Sequence, residues 1–322
     1  LASLACGIAN SQGLLIAARA LQGLGGAVVS AVALSLIMNM YTEARERAQA
    51  MGVYGFVCAA GGSIGVLLGG LLTSAFSWHW IFLVNLPIGA AVVAACFVLL
   101  PGGRAKPHGE RLDVFGAVAV TAALMLAVYA IVDGNHAGWT STRSLVRFGA
   151  ALLLLAAFLR IETRVRAPLV PLRLLRRRNL ATANVAGVLW AAAMFAWFFI
   201  SALYLQRVLG YSAFQVGLAF LPSNLIMAAF SLGLSARLVL RLGRRVPLAG
   251  GLLLAAFGLA LFARAPLDGR FVVDVLPGMV LLGLGAGIAL NPLLLAAMSD
   301  VEPSESGLAS GIVNTAFMIG GA

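Results

Sequence analysis

The sequence predicts an all-α, polytopic membrane protein, because of its composition and its long apolar segments. Of the 322 residues, 61% are hydrophobic and only 10% are charged, whereas soluble domains are about 45–50% apolar and about 25% charged. An apolar helix needs about 20 residues to cross a bilayer, and nine such segments lie between charged or glycine- and proline-rich breaks. A mean hydropathy of +1.00 excludes the disordered, collagenous and disulfide-rich classes.

The predicted spans follow one another with short polar connections. They lie at 14–40, 48–75, 80–100, 114–132, 145–160, 180–205, 213–236, 246–263 and 275–298, with partial spans at 1–9 and 307–322. Because the chain begins at Leu1 and ends inside an apolar stretch at Ala322, we expect a fragment of a longer protein. The three cysteines lie singly in apolar segments, without the spacing of a disulfide framework or a metal site.

The distribution of basic residues predicts the orientation of these spans. Sixteen of the 22 Lys and Arg residues fall in one set of alternate loops, at 45–47, 104–111, 160–178 and 237–245, and five fall in the other set. Cytoplasmic loops of membrane proteins are enriched in Lys and Arg, so we expect the first set inside the cell and the protein in the inner (plasma) membrane. The charge follows alternating loops and not one stripe, so no nucleic-acid partner is expected, whereas membrane lipid is.

A short internal repeat predicts two related halves. Residues 21–27, Leu-Gln-Gly-Leu-Gly-Gly-Ala, are similar to residues 281–287, Leu-Leu-Gly-Leu-Gly-Ala-Gly, at an offset of 260 residues. Two halves related by a parallel repeat are typical of one class of membrane transporter. The alternative is chance similarity between two helices rich in glycine, alanine and leucine.

Arg19 is the only charged residue well inside a predicted span. An Arg at the centre of a membrane helix costs about 2.5–3.5 kcal/mol on the insertion scale, so it normally faces a water-filled cavity or a partner. Alternatively, its side chain reaches the headgroups at the end of the helix. Gln22 lies one turn further on the same face and is expected to bind the same partner or a proton-carrying water.

The second span carries a glycine pattern that predicts a smooth face for close helix packing. The glycines are Gly52, Gly61, Gly65, Gly69 and Gly70. Their spacing resembles the antiporter motif of drug exporters in the major facilitator superfamily, except that Val66 stands where the family's pattern has proline.

Other segments extend this resemblance along the chain. Arg19 and Gln22, with the glycines that follow, are similar to the fourth-helix motif of the superfamily, whose arginine is implicated in proton transfer. Three segments resemble its fourteen-spanner drug/proton antiporter branch (EmrB/QacA type): SWHWIFLVNLPIG at 77–89, ETRVRAPLVPL at 162–172 and GLASGIVNT at 307–315. Arg241, Gly243 and Arg244 resemble the cytoplasmic gating turn of its second half.

The resemblance implies the major facilitator fold, with two six-helix bundles and two inserted central helices, incomplete at both ends. The chain is then expected to run from the end of helix 3 to the start of helix 13. The N-terminal bundle is expected at 1–100, the inserted helices and basic linkers at 101–179, and the C-terminal bundle at 180–322. No Asp or Glu lies in the middle of a complete span, so either the coupling carboxylate lies outside this sequence or the protein is not proton-coupled.

Aromatic and amide residues in the later spans are candidates for a substrate cavity. They are Trp190, Trp197, Phe198, Asn224 and Asn291. Aromatic faces attract lipophilic cations, but packing and interfacial anchoring also account for such residues. Pro292 is expected to free a backbone carbonyl and to bend its helix.

The sequence therefore predicts a secondary transporter that exports amphipathic small molecules or drugs in exchange for protons. A uniporter or importer on the same scaffold, or a membrane sensor or assembly partner that transports nothing, are the alternatives. No buried nucleophile or acid–base constellation appears, so an enzyme is not expected, nor is a cofactor or a metal. The substrate and any partner protein in the cell envelope are not identified by the sequence.

Overall fold

The computed structural model describes residues 1–99, 113–165, 168–170, 172–175, 177–299, 301–302 and 305–322. Within these residues the regular structure is helical, and nine helical segments are long and apolar enough to cross a membrane. Each of them overlaps one of the nine predicted spans. The prediction of an all-α, multi-pass membrane protein is therefore confirmed.

The helices are numbered here in chain order. They are α1 (Ala2–Gly7), α2 (Gln12–Met40), α3 (Ala44–Ala75), α4 (Trp80–Leu83), α5 (Asn85–Leu99), α6 (Val114–Ala137), α7 (Thr142–Glu162), α8 (Leu172–Leu175), α9 (Arg178–Arg207), α10 (Ala213–Ala229), α11 (Ala236–Leu242), α12 (Arg245–Phe262), α13 (Leu276–Ala297) and α14 (Ser306–Gly321). Two segments are π-helical: Phe230–Ser235 joins α10 to α11, and Phe271–Val275 leads into α13.

Polar side chains begin several of these helices. The first backbone N–H groups of a helix have no partner inside it, and a Ser or Asp just before the helix accepts from one of them. Asp113 accepts from the N–H of Gly116 at the start of α6, at 2.9 Å. Ser212 and Gln215 form a reciprocal capping box at the start of α10.

The loops lie on two opposite faces of the helical layer. The loops before α3, α8, α12 and α14 lie on one face, which carries most of the arginines and is called the basic face below. Contacts within each face agree with this arrangement: Glu305 pairs with Arg177 on the basic face, and His79 lies 3.3 Å from the carbonyl oxygen of Ala9 on the opposite face. The predicted basic residues Arg104, Lys106, Arg111, Arg166 and Arg176 lie outside the described residues.

The helices form a first group (α1–α5), a hairpin (α6–α7) and a second group (α9–α14). Helix α3 of the first group packs along α10, and α2 packs against α14, so these two pairs join the groups. A hydrophobic cluster near the basic face contains residues of both groups, among them Leu34, Met51, Leu290 and Leu294. The hairpin helices pack mainly against each other.

Candidate functional site

A central cavity of about 460 Å³ lies between the first and the second helix group. Helices α2 and α3 form one wall, and α9, α10, α13 and α14 form the others. Four of the five residues predicted for a substrate cavity line it: Trp190, Trp197, Phe198 and Asn224. Val66 of the glycine pattern lines it as well.

The aromatic wall of the cavity is built on α9. Trp190 and Trp197 lie seven residues apart, which is close to two helical turns, so they share one face of the helix. Trp197 meets the ring of Phe220 edge to face at 5.5 Å, and Phe198 stacks on the same ring at 4.5 Å. Phe220 is fully buried on α10, so it holds both rings in place.

The cavity also has residues that were not singled out in the sequence. On α3, Tyr54 and Cys58 line it together with Gly62 and Val66. Their four-residue spacing puts them on one stripe of the helix, and this spacing is the signal that could have identified them. On α14, Asn314 and Phe317 line it, and Phe317 contacts the ring of Trp190 at 5.6 Å.

The cavity is uncharged. None of the lining residues that the structure describes is Asp, Glu, Lys, Arg or His, and the amides of Asn224 and Asn314 are its strongest polar groups. Apolar and aromatic walls with a few polar groups are typical of small-molecule sites. The arrangement can therefore hold an amphipathic molecule without a dedicated ion pair.

The fifth predicted cavity residue, Asn291, lies outside the cavity lining. It is fully buried on α13, and its Nδ2 donates a hydrogen bond to the carbonyl oxygen of Ser231, at 3.0 Å. Ser231 belongs to the π-helical segment after α10. Asn291 therefore joins two irregular helices. The carbonyl freed by Pro292, that of Ile288, accepts a hydrogen bond from the hydroxyl of Ser235.

The predicted antiporter glycines do not all serve the same contact. A Cβ atom at Gly52 would lie 2.9 Å from the carbonyl oxygen of Ser231, and one at Gly70 would lie 3.1 Å from that of Ala213. A Cβ atom at Gly61, Gly65 or Gly69 would meet nothing within 4 Å. The two ends of the pattern thus allow the close approach of α3 to the second helix group, whereas its middle faces open space.

The predicted proton-transfer residues, Arg19 and Gln22, lie together in the first half of α2, which is nearer the face opposite the basic face. Arg19 donates a hydrogen bond to the side-chain oxygen of Gln22, at 2.8 Å, and Gln22 donates to the hydroxyl of Ser3 on α1, at 2.9 Å. The guanidinium of Arg19 also lies 5.8 Å from the ring centre of Phe82. This network connects α1, α2 and α4 and lies outside the central cavity.

The predicted gating turn joins α11 to α12 on the basic face. Gly243 has a φ of +72° and a ψ of −175°, a region that essentially only glycine adopts. Arg244 donates to the carbonyl oxygen of Leu295 in the last turn of α13, at 3.3 Å, where a positive charge is favourable. Arg241 is exposed.

The whole chain, residues 1–322, matches the family model of the Major Facilitator Superfamily. The chain belongs to this superfamily. It is a family of membrane transporters, which agrees with the prediction that the protein is not an enzyme. Within the described residues no group of three or more His, Cys, Asp or Glu side chains could hold a metal ion.

Several similar proteins are named for the export of antibiotics or for resistance to them. The chain is 37% identical over its whole length to the cephamycin export protein CmcT of Amycolatopsis lactamdurans, and covers 67% of that protein. It is 37% identical to the puromycin resistance protein pur8 of Streptomyces alboniger, over 64% of that protein. It is 35% identical to the multidrug resistance protein Stp of Mycobacterium tuberculosis, over 59% of it. The chain thus spans about three-fifths to two-thirds of the length of these relatives.

Proposed function

We propose that the protein exports amphipathic small molecules in exchange for protons, by alternating access to the central cavity. The observation that carries this proposal is the uncharged aromatic cavity lined by both helix groups. Relatives named for antibiotic export or resistance support it. In such transporters the site lies at the interface of two repeats, which move against each other.

We further infer that the chain is part of a fourteen-spanner exporter. On this interpretation residues 1–100 and 180–322 belong to the two bundles, and 101–179 holds the inserted helices and linkers. Helices α6 and α7 pack against each other and make few contacts with the other helices. This arrangement supports an insertion. The chain then extends from helix 3 to helix 13 of the complete protein.

The basic face is proposed to lie in the cytoplasm, with the protein in the inner (plasma) membrane. The excess of arginine on that face supports this orientation. Exposed arginines such as Arg173 and Arg178 are proposed to contact anionic lipid headgroups there, where basic residues gain about 1 kcal/mol each.

Arg19 and Gln22 are proposed to take part in proton coupling. Their hydrogen bond, with that of Gln22 to Ser3, connects Arg19, two turns inside α2, to helix α1. A membrane potential contributes about 2.3 kcal/mol per 100 mV for each proton, which is enough to drive the accumulation of a substrate on one side.

The test uses the full-length protein in inverted membrane vesicles with an imposed pH gradient. Puromycin and tetraphenylphosphonium serve as probes, and the collapse of the gradient is recorded as each is added. We expect a saturable proton efflux that disappears in Arg19→Ala and persists in Arg264→Ala, an exposed arginine in the loop before α13.

Three outcomes separate the candidate functions. Substrate movement without proton movement would favour a uniporter or importer. Binding without movement of either would favour a membrane sensor. Equal activity in the Arg19→Ala and Arg264→Ala variants would remove Arg19 from the coupling path while leaving export intact.

A further inference from the structure

The start of α14 forms hydrogen bonds to the first helix group on the basic face. The hydroxyl of Ser306 accepts from the amide of Asn39 on α2, at 2.9 Å, and lies 3.0 Å from the hydroxyl of Ser35. One turn further, the hydroxyl of Ser310 donates to the carbonyl oxygen of Ala31, at 2.9 Å. These contacts join residues more than 260 positions apart in the chain.

The residue before Ser306 binds the linker between the hairpin and the second helix group. Glu305 is buried, and its carboxylate pairs with Arg173 of α8 at 2.5 Å and with Arg177 at 3.1 Å. Leu174, next to Arg173, is fully buried in the hydrophobic cluster of the basic face. Two adjacent residues therefore contact two different parts of the chain: Glu305 binds the linker, and Ser306 binds the first helix group.

On the side of the basic face, residues of both helix groups form the end of the central cavity. Leu34 of the first helix group and Leu290, Leu294 and Val313 of the second line the cavity and also belong to the hydrophobic cluster. A space of about 940 Å³ lies between α2, α14 and the hairpin helix α6, and it extends from Ala31 and Gly311 to Gly23 and Ala322. Helices α2 and α14 are thus in contact at the basic end of α2, while α3 and α10 meet near the opposite face, where a Cβ atom at Gly70 would lie 3.1 Å from the carbonyl oxygen of Ala213.

We propose that Glu305 and Ser306 form a clasp that closes the cavity toward the basic face and couples the linker helix α8 to that closure. The proposal rests on the proposed alternating access. Opening this face requires α2 to leave α14, and the bonds of Ser306 to Ser35 and Asn39 must then break. Release of Arg173 and Arg177 from Glu305 frees the start of α14 for this movement.

The chemistry of the clasp suits a contact that opens and closes. Its cross-group bonds are between neutral hydroxyl and amide groups, which water can replace when the interface opens. The ion pairs of Glu305 do not cross the opening, because Arg173 lies in the linker helix α8 and Arg177 just before α9, and they hold the start of α14 against the linker. An interface of apolar side chains alone would have no such polar contact to fix its register.

The first test measures the reaction of the cavity thiol Cys58 with a membrane-impermeant maleimide. Cys58 lines the cavity, whereas Cys6 is fully buried, and a Cys96→Ala background removes the other exposed thiol. Inverted and right-side-out vesicles present the two faces separately. The labelled site is identified by mass spectrometry of the peptides, and the labelling rate is compared between variants.

The clasp variant is Asn39→Ala combined with Glu305→Gln. We expect Cys58 labelling from the basic face to rise at least about fivefold, the factor that corresponds to losing the one cross-group hydrogen bond between Asn39 and Ser306. The matched control is Ser74→Ala, because the hydroxyl of Ser74 bonds only to carbonyls of its own helix. Unchanged labelling in a folded clasp variant overturns the proposal. Because the labelling of Cys58 needs no transport, its result tests the clasp independently of the proposed export.

The second test locks the clasp with a thiol crosslink between Asn39→Cys and Ser306→Cys in a variant without native cysteines. We expect export before crosslinking, loss of export after it, and recovery on reduction. The control pair, Ala9→Cys with His79→Cys, joins two loops within the first helix group and should leave export intact. Export that continues through the crosslinked clasp contradicts the proposal, whereas absence of export in every sample contradicts only the proposed function.

Discussion

The hydroxyl of Ser235 lies 3.0 Å from the carbonyl oxygen of Ile288 and donates a hydrogen bond to it. Pro292 has no N–H group, so the carbonyl four residues earlier in α13 has no donor within its own helix. Ser235 ends the π-helical segment of the neighbouring helix and supplies that donor. Two irregular helices thus satisfy each other's backbone groups inside the second helix group.

The first prediction concerns this hydrogen bond. Ser235→Ala leaves the buried carbonyl of Ile288 without a donor and is expected to lower the free energy of unfolding by about 1–3 kcal/mol. Pro292→Ala restores an N–H group, so Ser235→Ala should cost much less in that background. Thermal unfolding of the purified protein in detergent measures both effects, and a double-mutant cycle isolates their coupling. Additive effects of the two changes would mean that the hydroxyl and the proline are not connected.

The second prediction separates the glycines of the α3 pattern. Gly52→Ala places a methyl group 2.9 Å from the carbonyl oxygen of Ser231, so α3 and the π-helical segment must move apart. We expect a cost of about 1–3 kcal/mol, as for other overpacked interiors. Gly61→Ala meets open space and is the matched control. The measurement is the fraction of each variant that stays folded after heating. Equal losses of folded protein in Gly52→Ala and Gly61→Ala would contradict the structural assignment.

The third prediction concerns the turn between α11 and α12. Gly243→Ala forces a side chain into a backbone region that costs of the order of 1–3 kcal/mol. Gly243→Asn should not restore stability, because asparagine tolerates the left-handed helical region but not the extended ψ of −175° found here. Gly250→Ala, inside α12 with nothing within 4 Å, is expected to be neutral or stabilising. The measurement is the apparent unfolding temperature of each variant, which should fall for both Gly243 variants and not for Gly250→Ala.

The fourth prediction concerns the aromatic wall of the central cavity. Trp190→Ala removes a ring that both lines the cavity and contacts Phe317. Aromatic contacts contribute about 0.5–1.5 kcal/mol beyond buried area, so the KM for an aromatic probe should rise by about two- to tenfold. Phe257→Ala, a large exposed side chain on α12, is the control. A Trp190→Ala variant that transports with an unchanged KM would place the substrate elsewhere.

The sequence predicted the nine spans because each is an apolar segment long enough to cross a bilayer, and this property is local. It also identified Trp190, Trp197, Phe198 and Asn224, which share the cavity in the structure. It did not anticipate the place of Asn291, because the partner of that amide lies in a π-helical segment 60 residues away. A π-helical turn depends on how neighbouring helices pack, and it leaves no periodic signal in the sequence.

The bonds at the start of α14 were outside the reach of sequence reasoning for the same reason. Glu305 stands in a polar loop, where an acidic residue is ordinarily solvated. Only the fold brings Arg173 and Arg177 to it and buries it. The helix-spaced stripe from Tyr54 to Val66 was available in the sequence, by contrast, and a search for four-residue spacing on α3 would have found it.

The hairpin of α6 and α7 is held by contacts of its own. Arg147 of α7 pairs with Asp133 of α6 and lies 4.6 Å from the ring centre of Tyr129. Two helices that satisfy each other in this way can assemble as soon as both have entered the lipid, before the second helix group has been synthesised. The hairpin can then form as a unit of its own during biogenesis.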